Sequence, residues 1–292
     1  MQKIRKAVIP AAGFGTRFLP MTKASPKEML PIVDKPVIQY IVEEAVEAGI
    51  EEIIIITGSN KRPIEDHFDY NFELEYRLKE AGKEKEYKEI RAISDMAKFI
   101  YIRQKEALGN GHAILCAKEV VNHEPFVVLW GDEIIRSKPN RVTQLINTYQ
   151  KYNNLVLTGL KANKPEDRLK YAFIAGHEVE DGLWKVDNIV EKPGDKSELL
   201  DIGIFGGYIF PPSIFDYLEK IKPALGGEIW IADAISAYMQ EHPVYAREIK
   251  NFQYFDCGSK AGYLRANIMM ASQCDDLKTD LQEIISDVKI KK

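Results

Sequence analysis

Cysteine is scarce: Cys116, Cys257 and Cys274 are the only three in 292 residues, they lie far apart, and no C-x-x-C occurs. An odd, scattered set of this kind excludes a disulfide framework and a thiolate zinc site, and it suits a reducing compartment. Excess positive charge is also missing, since 40 Lys and Arg stand against 44 Asp and Glu for a net of −4. So balanced a chain has no electrostatic footprint for a nucleic-acid backbone or an anionic membrane, and any anionic ligand must find locally placed cations. No apolar run approaches the ~18 residues of a membrane span. The basic start, MQKIRKAVIPAAGFGTR, loses its apolar run at Pro10, too early for the apolar region of a signal peptide, so the expectation is a cytoplasmic protein. Neither a Pro/Ser-rich linker nor a repeat divides the chain. With 45% hydrophobic and 29% charged residues the composition is globular, and one domain over 1–292 is expected, with 261–292 as a C-terminal helical extension.

What is present alternates. Ile4 to Pro10 reads as a short buried strand running straight into the glycine loop Ala11-Ala12-Gly13-Phe14-Gly15. Val37, Ile38, Ile41, Ala45 and Ala48 recur at helical spacing, Gly49 suits the helix end, and Glu52 to Thr57 (EIIIIT) reads as a second buried strand, which makes a parallel βαβ unit. Residues 61–98 read as helical, with a heavily charged solvated face. Strands are expected at 99–103, 126–130, 155–160, 204–210 and 244–249, and helices at 113–120, 141–152, 214–221 and 229–239, with one long terminal helix from about Ala261. Asp181-Gly182 supplies the turn of an antiparallel hairpin. Together these predict an α/β fold: a Rossmann-like three-layer arrangement whose mixed, mostly parallel sheet is flanked by helices and carries a β-hairpin insertion.

The first loop invites three phosphate-binding readings, of which two fail on spacing. A dinucleotide fingerprint needs a third glycine where Phe18 stands, and no acid ends the EIIIIT strand. A Walker A loop needs a Gly-Lys pair that the loop lacks. What remains is a glycine loop followed by Arg17, Lys23 and Lys27, where bare N–H groups and fixed cations together replace the lost hydration of a polyphosphate. A tight strand-to-helix turn with solvated cations accounts for the same residues.

The stretch AAGFGTRFLPMTKASPKEMLPIVDKPVIQY is similar to the signature of the sugar-nucleotide pyrophosphorylases, and its PKEMLP portion resembles the bacterial UTP–glucose-1-phosphate uridylyltransferases. The resemblance recurs in order at RQKEALGNGHAI, FVVLWGDEII, IVEKP, EIWIADAI and FDCGSKAGYL, nearly the whole chain. It implies the nucleotide-diphospho-sugar transferase fold and Mg²⁺-dependent nucleotidyl transfer, in which glucose 1-phosphate attacks the α-phosphorus of UTP to give UDP-glucose and pyrophosphate. It further implies that Ala11, Ala12, Gly13, Gly15, Thr16, Arg17, Lys27, Gln104 and Gly109 bind the nucleotide. By the same resemblance Ala172, Glu191, Lys192 and Gly207 meet the sugar phosphate, and Asp132 and Asp256 hold Mg²⁺. Arg17, Lys27, Asp132 and Lys192 form the catalytic set, Lys23 falls in the same motif, and a homodimer or homotetramer is expected. Such chemistry needs alignment and charge neutralisation rather than acid–base work, because a sugar phosphate is already a nucleophile at neutral pH.

Without the resemblance Asp132 and Asp256 read as turn residues beside Gly131 and Gly258, Gln104 as a surface residue, and Glu191-Lys192-Pro193 as an exposed strand end. His67, His112, His123, His177 and His242 have no metal-ligand spacing and are expected in structural roles. Trp130 and Trp184 are expected to pack beside strands. The chain departs from the family at Tyr171-Ala172 in place of Tyr-Gly, at Trp230, at Tyr254, and at Lys105, Leu108 and Asn110. Trp230 and Tyr254 are expected either to face the sugar or to pack in the core, the core being favoured for Trp230 between Ile229 and Ile231. The alternatives to glucose are galactose or an N-acetylhexosamine as the 1-phosphate, or a silent nucleotide-sugar-binding paralogue.

Overall fold

The computed structural model describes residues 3–162, 165–194, 199–223 and 226–288. Its elements run β1 (Lys6–Pro10), β2 (Pro31–Ile32), β3 (Lys35–Pro36), α1 (Val37–Glu47), β4 (Glu52–Thr57), α2 (Arg62–Phe68), α3 (Phe72–Glu80), α4 (Glu84–Asp95), β5 (Lys98–Arg103), α5 (Gly109–Leu115) and α6 (Lys118–Val121). They continue with β6 (Phe126–Val128), β7 (Glu133–Arg136), α7 (Arg141–Tyr152), β8 (Leu155–Lys161), β9 (Ala172–Glu180), β10 (Leu183–Glu191) and β11 (Ile202–Phe210). Last come α8 (Ile214–Leu218), α9 (Ile231–Met239), β12 (Val244–Glu248), β13 (Gln253–Asp256), α10 (Lys260–Ala271) and α11 (Lys278–Asp287).

Among the described residues nine strands form one mixed sheet in the order β5-β4-β1-β6-β11-β8-β12-β10-β9. Its first four strands are parallel, with Pro10 beside Ile56, Thr57 beside Arg103 and Val8 beside Val128. That register delivers the loops after β1, β4, β5 and β6 to one edge, where open α/β sheets collect ligand groups. Beyond β6 the sheet turns antiparallel at β11, which also pairs with β9 of the expected hairpin, whose turn is at Gly182 (φ 67°).

Helices cover both faces, so the central strands are apolar on both sides and read as continuous runs. Ala7, Ile9, Ile53, Ile55, Val127 and Leu129 bury one way with α1 and α7, whereas Val8, Ile54, Ile56, Phe126 and Val128 bury the other way with α5, α8 and α9. A smaller cluster, Ile135, Leu160, Phe205 and Ile249 with Tyr171 and Tyr254 against it, lies beneath the two-stranded β7–β13 sheet.

Several expected boundaries are corrected. The helical reading of 61–98 resolves into α2, α3 and α4, because Asn71 caps α3 through Leu74 N–H (3.0 Å) and Gly82 breaks the next turn at φ 68°. The expected helix at 113–120 begins instead at Gly109 and divides into α5 and α6. The single terminal helix is two helices, and α10 is no extension. Its Ala266 and Met270 belong to the core, and Tyr263 donates to Pro31 O at 2.6 Å. α11 buries nothing, and residues 289–292 of the expected extension lie outside the described residues. The strands β7 and β13 are absent from the sequence expectations, because four residues each are too short to show a periodicity.

One buried ion pair ties the two halves of the sheet together. Arg141, at 0% exposure, grips Glu44 of α1 through Nη2 (2.6 Å) and Nε (3.0 Å) while Nη1 donates to Gly206 O on β11 (2.6 Å). Breaking such a pair from one side strands a buried charge, so Arg141→Met is expected to cost ~3–5 kcal/mol in urea unfolding, and Arg141→Met/Glu44→Leu distinctly less. A single variant within ~1 kcal/mol of the parent would show that the pair does not hold the halves together.

Candidate active site

The glycine loop follows β1, with Ala11 N–H bonded to Ile56 O at 2.9 Å. Gly15 sits at φ 67°, and a Cβ there would lie 3.1 Å from both Lys27 Cβ and Thr22 Cγ2. Only glycine lets the loop close over the Lys27 stem, which passes beneath Gly15 and reaches Gly13 at Cε. Thr22 Oγ1 seals the turn on Gly15 O at 2.8 Å. Gly13, Thr16, Arg17 and Lys23 are exposed and Ala12 half-buried, so the loop's upper surface is open to a ligand.

Lys27 Nζ meets Asp132 Oδ2 at 2.5 Å. Burial pushes the Lys27 ammonium down, but Asp132 and Glu28 outweigh it and hold its pKa above the usual lysine range. Behind this pair lies a second that the sequence did not reveal. Glu28, 1% exposed, bonds Lys61 Nζ, 5% exposed, at 2.7 Å, and Glu28 Cγ is 3.1 Å from the place a Cβ on Gly131 would take. Burial pushes Glu28 up and Lys61 down against their mutual attraction. Alternating ammonium and carboxylate thus run inward from the loop. Nothing in the sequence marks Lys61 as a partner, since it sits in a charged stretch that reads as solvated.

Asp132 and Asp256 are brought together. β13 pairs with β7 so that Asp256 lies opposite Glu133, and Cys257 N–H donates to Asp132 O at 2.9 Å. The point where a Cβ on Gly258 would stand is 2.5 Å from Asp132 Oδ2 and 3.1 Å from Asp256 Oδ1. Two carboxylates converging on such a gap suit a hard divalent cation that takes its remaining oxygens from phosphates and water. Among the described residues no group of three or more His, Cys, Asp or Glu converges, so a cation there would be shared with substrate. Arg17 Nη1 reaches Gly258 O at 3.5 Å. Burial first, and then the charges of Asp132 and Asp256, push the Cys257 thiol up to about 12, which leaves it protonated.

Glu133, next to Asp132, was also missed. Its Oε2 accepts from Gly206 N–H at 2.7 Å and its Oε1 from Tyr254 O–H at 3.3 Å. Burial first and Asp132 second push its carboxyl up to about 7, with Arg141 and the Gly206 N–H opposing.

Gln104 and Gly109 also meet, through Gln104 Nε2 and Gly109 O at 3.2 Å. Gly109, at φ 92°, abuts Ile229, whose N–H donates to Leu108 O (2.8 Å) and whose carbonyl accepts from Gly111 N–H (2.9 Å). Trp230 therefore lies next to the Gln104 loop at 44% exposure, outside the core. Tyr254 packs edge-on against Phe205 and Tyr171. Trp130 sits edge-on to Tyr208, and Trp184 packs beside β12 with its Nε1 the one buried side-chain N or O atom lacking a partner among the described residues.

On the far side of the site Ala172 lies opposite Glu191 across the hairpin, and Lys192 N–H donates to Tyr171 O at 3.1 Å. Lys192 Nζ is 3.7 Å from Glu191, both side chains being about 60% exposed, and neither touches Asp132. Gly207 is buried, its carbonyl accepts from Thr158 Oγ1 at 2.7 Å, and a Cβ there would stand 2.9 Å from Arg141 Cδ. Its neighbour Gly206 is the one that meets Glu133. A cavity of about 710 Å³ lies elsewhere, between α1 and β7, and has neither the glycine loop nor the paired carboxylates. A cavity of about 500 Å³ opens beside Asp256 and is lined by Lys170, Tyr171, Tyr254 and Arg265.

Gly258→Ala would drive a methyl into both carboxylates, and a displacement near 1 Å in a catalytic centre costs about 10²-fold. The expected result is such a loss in kcat/KM with a small change in melting temperature; activity within threefold of the parent would mean that the carboxylates need not converge.

Residues 6–273 match the nucleotidyl transferase family model. A UTP–glucose-1-phosphate uridylyltransferase of Bacillus subtilis is 46% identical over 287 residues, 98% of this chain and 96% of that protein. One from Staphylococcus saprophyticus is 45% identical over 98% of this chain and 99% of that protein. Among solved structures, a UDP-glucose pyrophosphorylase complexed with UDP-glucose superposes with TM-score 0.84 at 40% identity, covering 93% of this chain and all of that one. The UTP-bound enzyme of Acinetobacter baumannii gives TM-score 0.89 at 37% identity, covering 98% of this chain and all of that one. With a glycine loop, a lysine–aspartate pair and facing carboxylates at one sheet edge, and with full-length relatives of this identity, the chain belongs to the nucleotidyl transferase family, among the UTP–glucose-1-phosphate uridylyltransferases.

Proposed function

We propose that the protein catalyses Mg²⁺-dependent transfer of the uridylyl group of UTP to glucose 1-phosphate, releasing pyrophosphate. The observation that carries this reading is the meeting of Lys27 and Asp132 at 2.5 Å under the glycine loop, with Asp256 facing the same gap over Gly258. The names of the relatives support the choice of nucleotide and sugar.

Asp132 and Asp256 would hold Mg²⁺, which supplies positive charge where the phosphate oxygens gather it. A sugar-phosphate oxygen forms a bond to the α-phosphorus while the bond from that phosphorus to the α,β-bridging oxygen breaks, and its electron pair leaves with pyrophosphate. No proton has to move. The residues of the chain therefore act by alignment and charge. The open N–H groups of the glycine loop and Arg17 meet the triphosphate. Lys27, kept protonated by Asp132 and Glu28, neutralises the departing pyrophosphate. Gln104 and Gly109 read the base edge, and Ala172, Glu191 and Lys192 receive the glucosyl phosphate. Arg17, Lys27, Asp132, Lys192 and Asp256 are all present, which disfavours a silent paralogue.

No helix among the described residues is long and apolar enough to cross a membrane, in keeping with a cytoplasmic enzyme acting on small polar substrates. Ile284 and Ile285 of α11 are 58% and 59% exposed, which makes that helix our candidate contact in a homodimer or homotetramer.

A coupled assay of pyrophosphate release across four nucleotides and several sugar 1-phosphates tests the reading; full rate with another nucleotide, or none with glucose 1-phosphate, would overturn it. Asp132→Asn is expected to fold and to lose most turnover, because a neutral amide is a poorer Mg²⁺ ligand. Near-parental activity in Mg²⁺ would remove Asp132 from the metal site. Tyr254, Tyr171 and Phe205 crowd the side next to Ala172, so glucose 1-phosphate should exceed N-acetylglucosamine 1-phosphate by at least ~10-fold in kcat/KM. Equal rates would show that the aromatic cluster leaves room for the acetyl group.

A further inference from the structure

Gln104 is 8% exposed and makes two side-chain contacts, both through its amide nitrogen: Nε2 to Gly109 O at 3.2 Å and Nε2 to His112 Nδ1 at 2.9 Å. The first decides which way the amide points. A carbonyl oxygen only accepts, so turning the amide over would set Gln104 Oε1 against Gly109 O, two acceptors face to face. With Nε2 held there, His112 Nδ1 faces a donor and must be bare, which puts the ring proton on Nε2. Both amide hydrogens are then spent inside the protein. Oε1 accepts from nothing among the described residues, yet it is absent from the buried atoms lacking a partner, so solvent or a ligand reaches it.

The loop carrying these partners is itself fixed. Ile231 N–H donates to Asn110 Oδ1 at 2.9 Å, and a Cβ on Gly109 would stand 2.6 Å from Ile229 O. His112 is thereby held on the first turns of α5, one helical turn beyond Gly109, with its ring against the amide.

We infer that His112 is a positioning residue for nucleotide choice: it locks the Gln104 amide so that Oε1, an acceptor only, faces the base, which admits a ring N–H and rejects a bare ring nitrogen. This rests on the reading of Gln104 as a base-edge residue given above. Uracil carries a hydrogen at N3, whereas cytosine presents a lone pair there. The bond to Gly109 O sets the direction but is the longer of the two at 3.2 Å; with the 2.9 Å contact to His112 removed the amide is held at one hydrogen only, and an amide that turns can satisfy either base, so the discrimination falls even though Gln104 is intact. His112 needs no contact with substrate to do this.

The test compares UTP with CTP in the full-length enzyme. His112→Leu keeps the branched bulk but has no acceptor, whereas His112→Asn places Oδ1 near the position of Nδ1. His112→Leu is expected to lower the UTP-over-CTP ratio of kcat/KM by at least ~10-fold, chiefly through a higher KM for UTP, with the KM for glucose 1-phosphate unchanged. His112→Asn should restore the ratio to within about threefold of the parent. An unchanged ratio in His112→Leu, or an equal loss with both nucleotides, would overturn the inference, since a merely structural role moves both alike. Nitrogen-15 NMR of the unsubstituted protein, with the His112 signal assigned by its loss in His112→Asn, should show the Nε2–H tautomer; an Nδ1–H tautomer would refute the lock without any activity measurement. A parent enzyme that uses CTP as readily as UTP would instead refute the base-edge reading, and that failure shows before any substitution is made.

Discussion

The Lys27–Asp132 pair is the constraint on which the rest depends. An ammonium and a carboxylate 2.5 Å apart at a sheet edge neutralise each other, and each is a strong ligand for something else: the ammonium for phosphate, the carboxylate for a divalent cation. Holding them ready requires that the surroundings balance their charge. Glu28 and Lys61 do so from behind, in a layer that water does not reach. Buried ion pairs add little net stability over apolar replacements, so a second pair placed here makes more sense as a device for holding charge in position than as a source of stability.

The sheet is arranged to bring that pair together. Lys27 comes from the loop after β1 and Asp132 from the loop after β6, and these strands are parallel neighbours, so both loops open at one edge. The antiparallel strand β11 then lies against β6 and turns Gly206 N–H toward Glu133, while Arg141 takes Gly206 O and Glu44. The same glycine therefore joins the carboxylate beside the site to the ion pair that locks α1 and α7.

Much of the fold was legible because both faces of the sheet are covered. Burial on two sides demands unbroken apolar strands, and EIIIIT, FVVLW and LVLTGL announce themselves as such. The hairpin turn at Asp181-Gly182 was equally plain, since φ 67° is a glycine conformation. Short elements were not. β7 and β13 have four residues each, and the helix breaks at Gly82 and after Ala271 depend on which side chains find a core to pack against.

At the site, the sequence by itself determined the chemistry on offer: a glycine loop that can close only without a Cβ, cations behind it, and acids after strand ends. Residue type and local backbone geometry suffice for that. Only the tertiary structure decided which groups meet. It brought Asp132 and Asp256 together at Gly258, put Lys61 behind Glu28, left Trp230 half-exposed beside the Gln104 loop and buried Gly207 against Arg141. These partners lie between 33 and 241 residues apart for contacts such as Lys61–Glu28 and Arg17–Gly258. Over such separations charge pairing is settled by strand order and register, which no local pattern encodes.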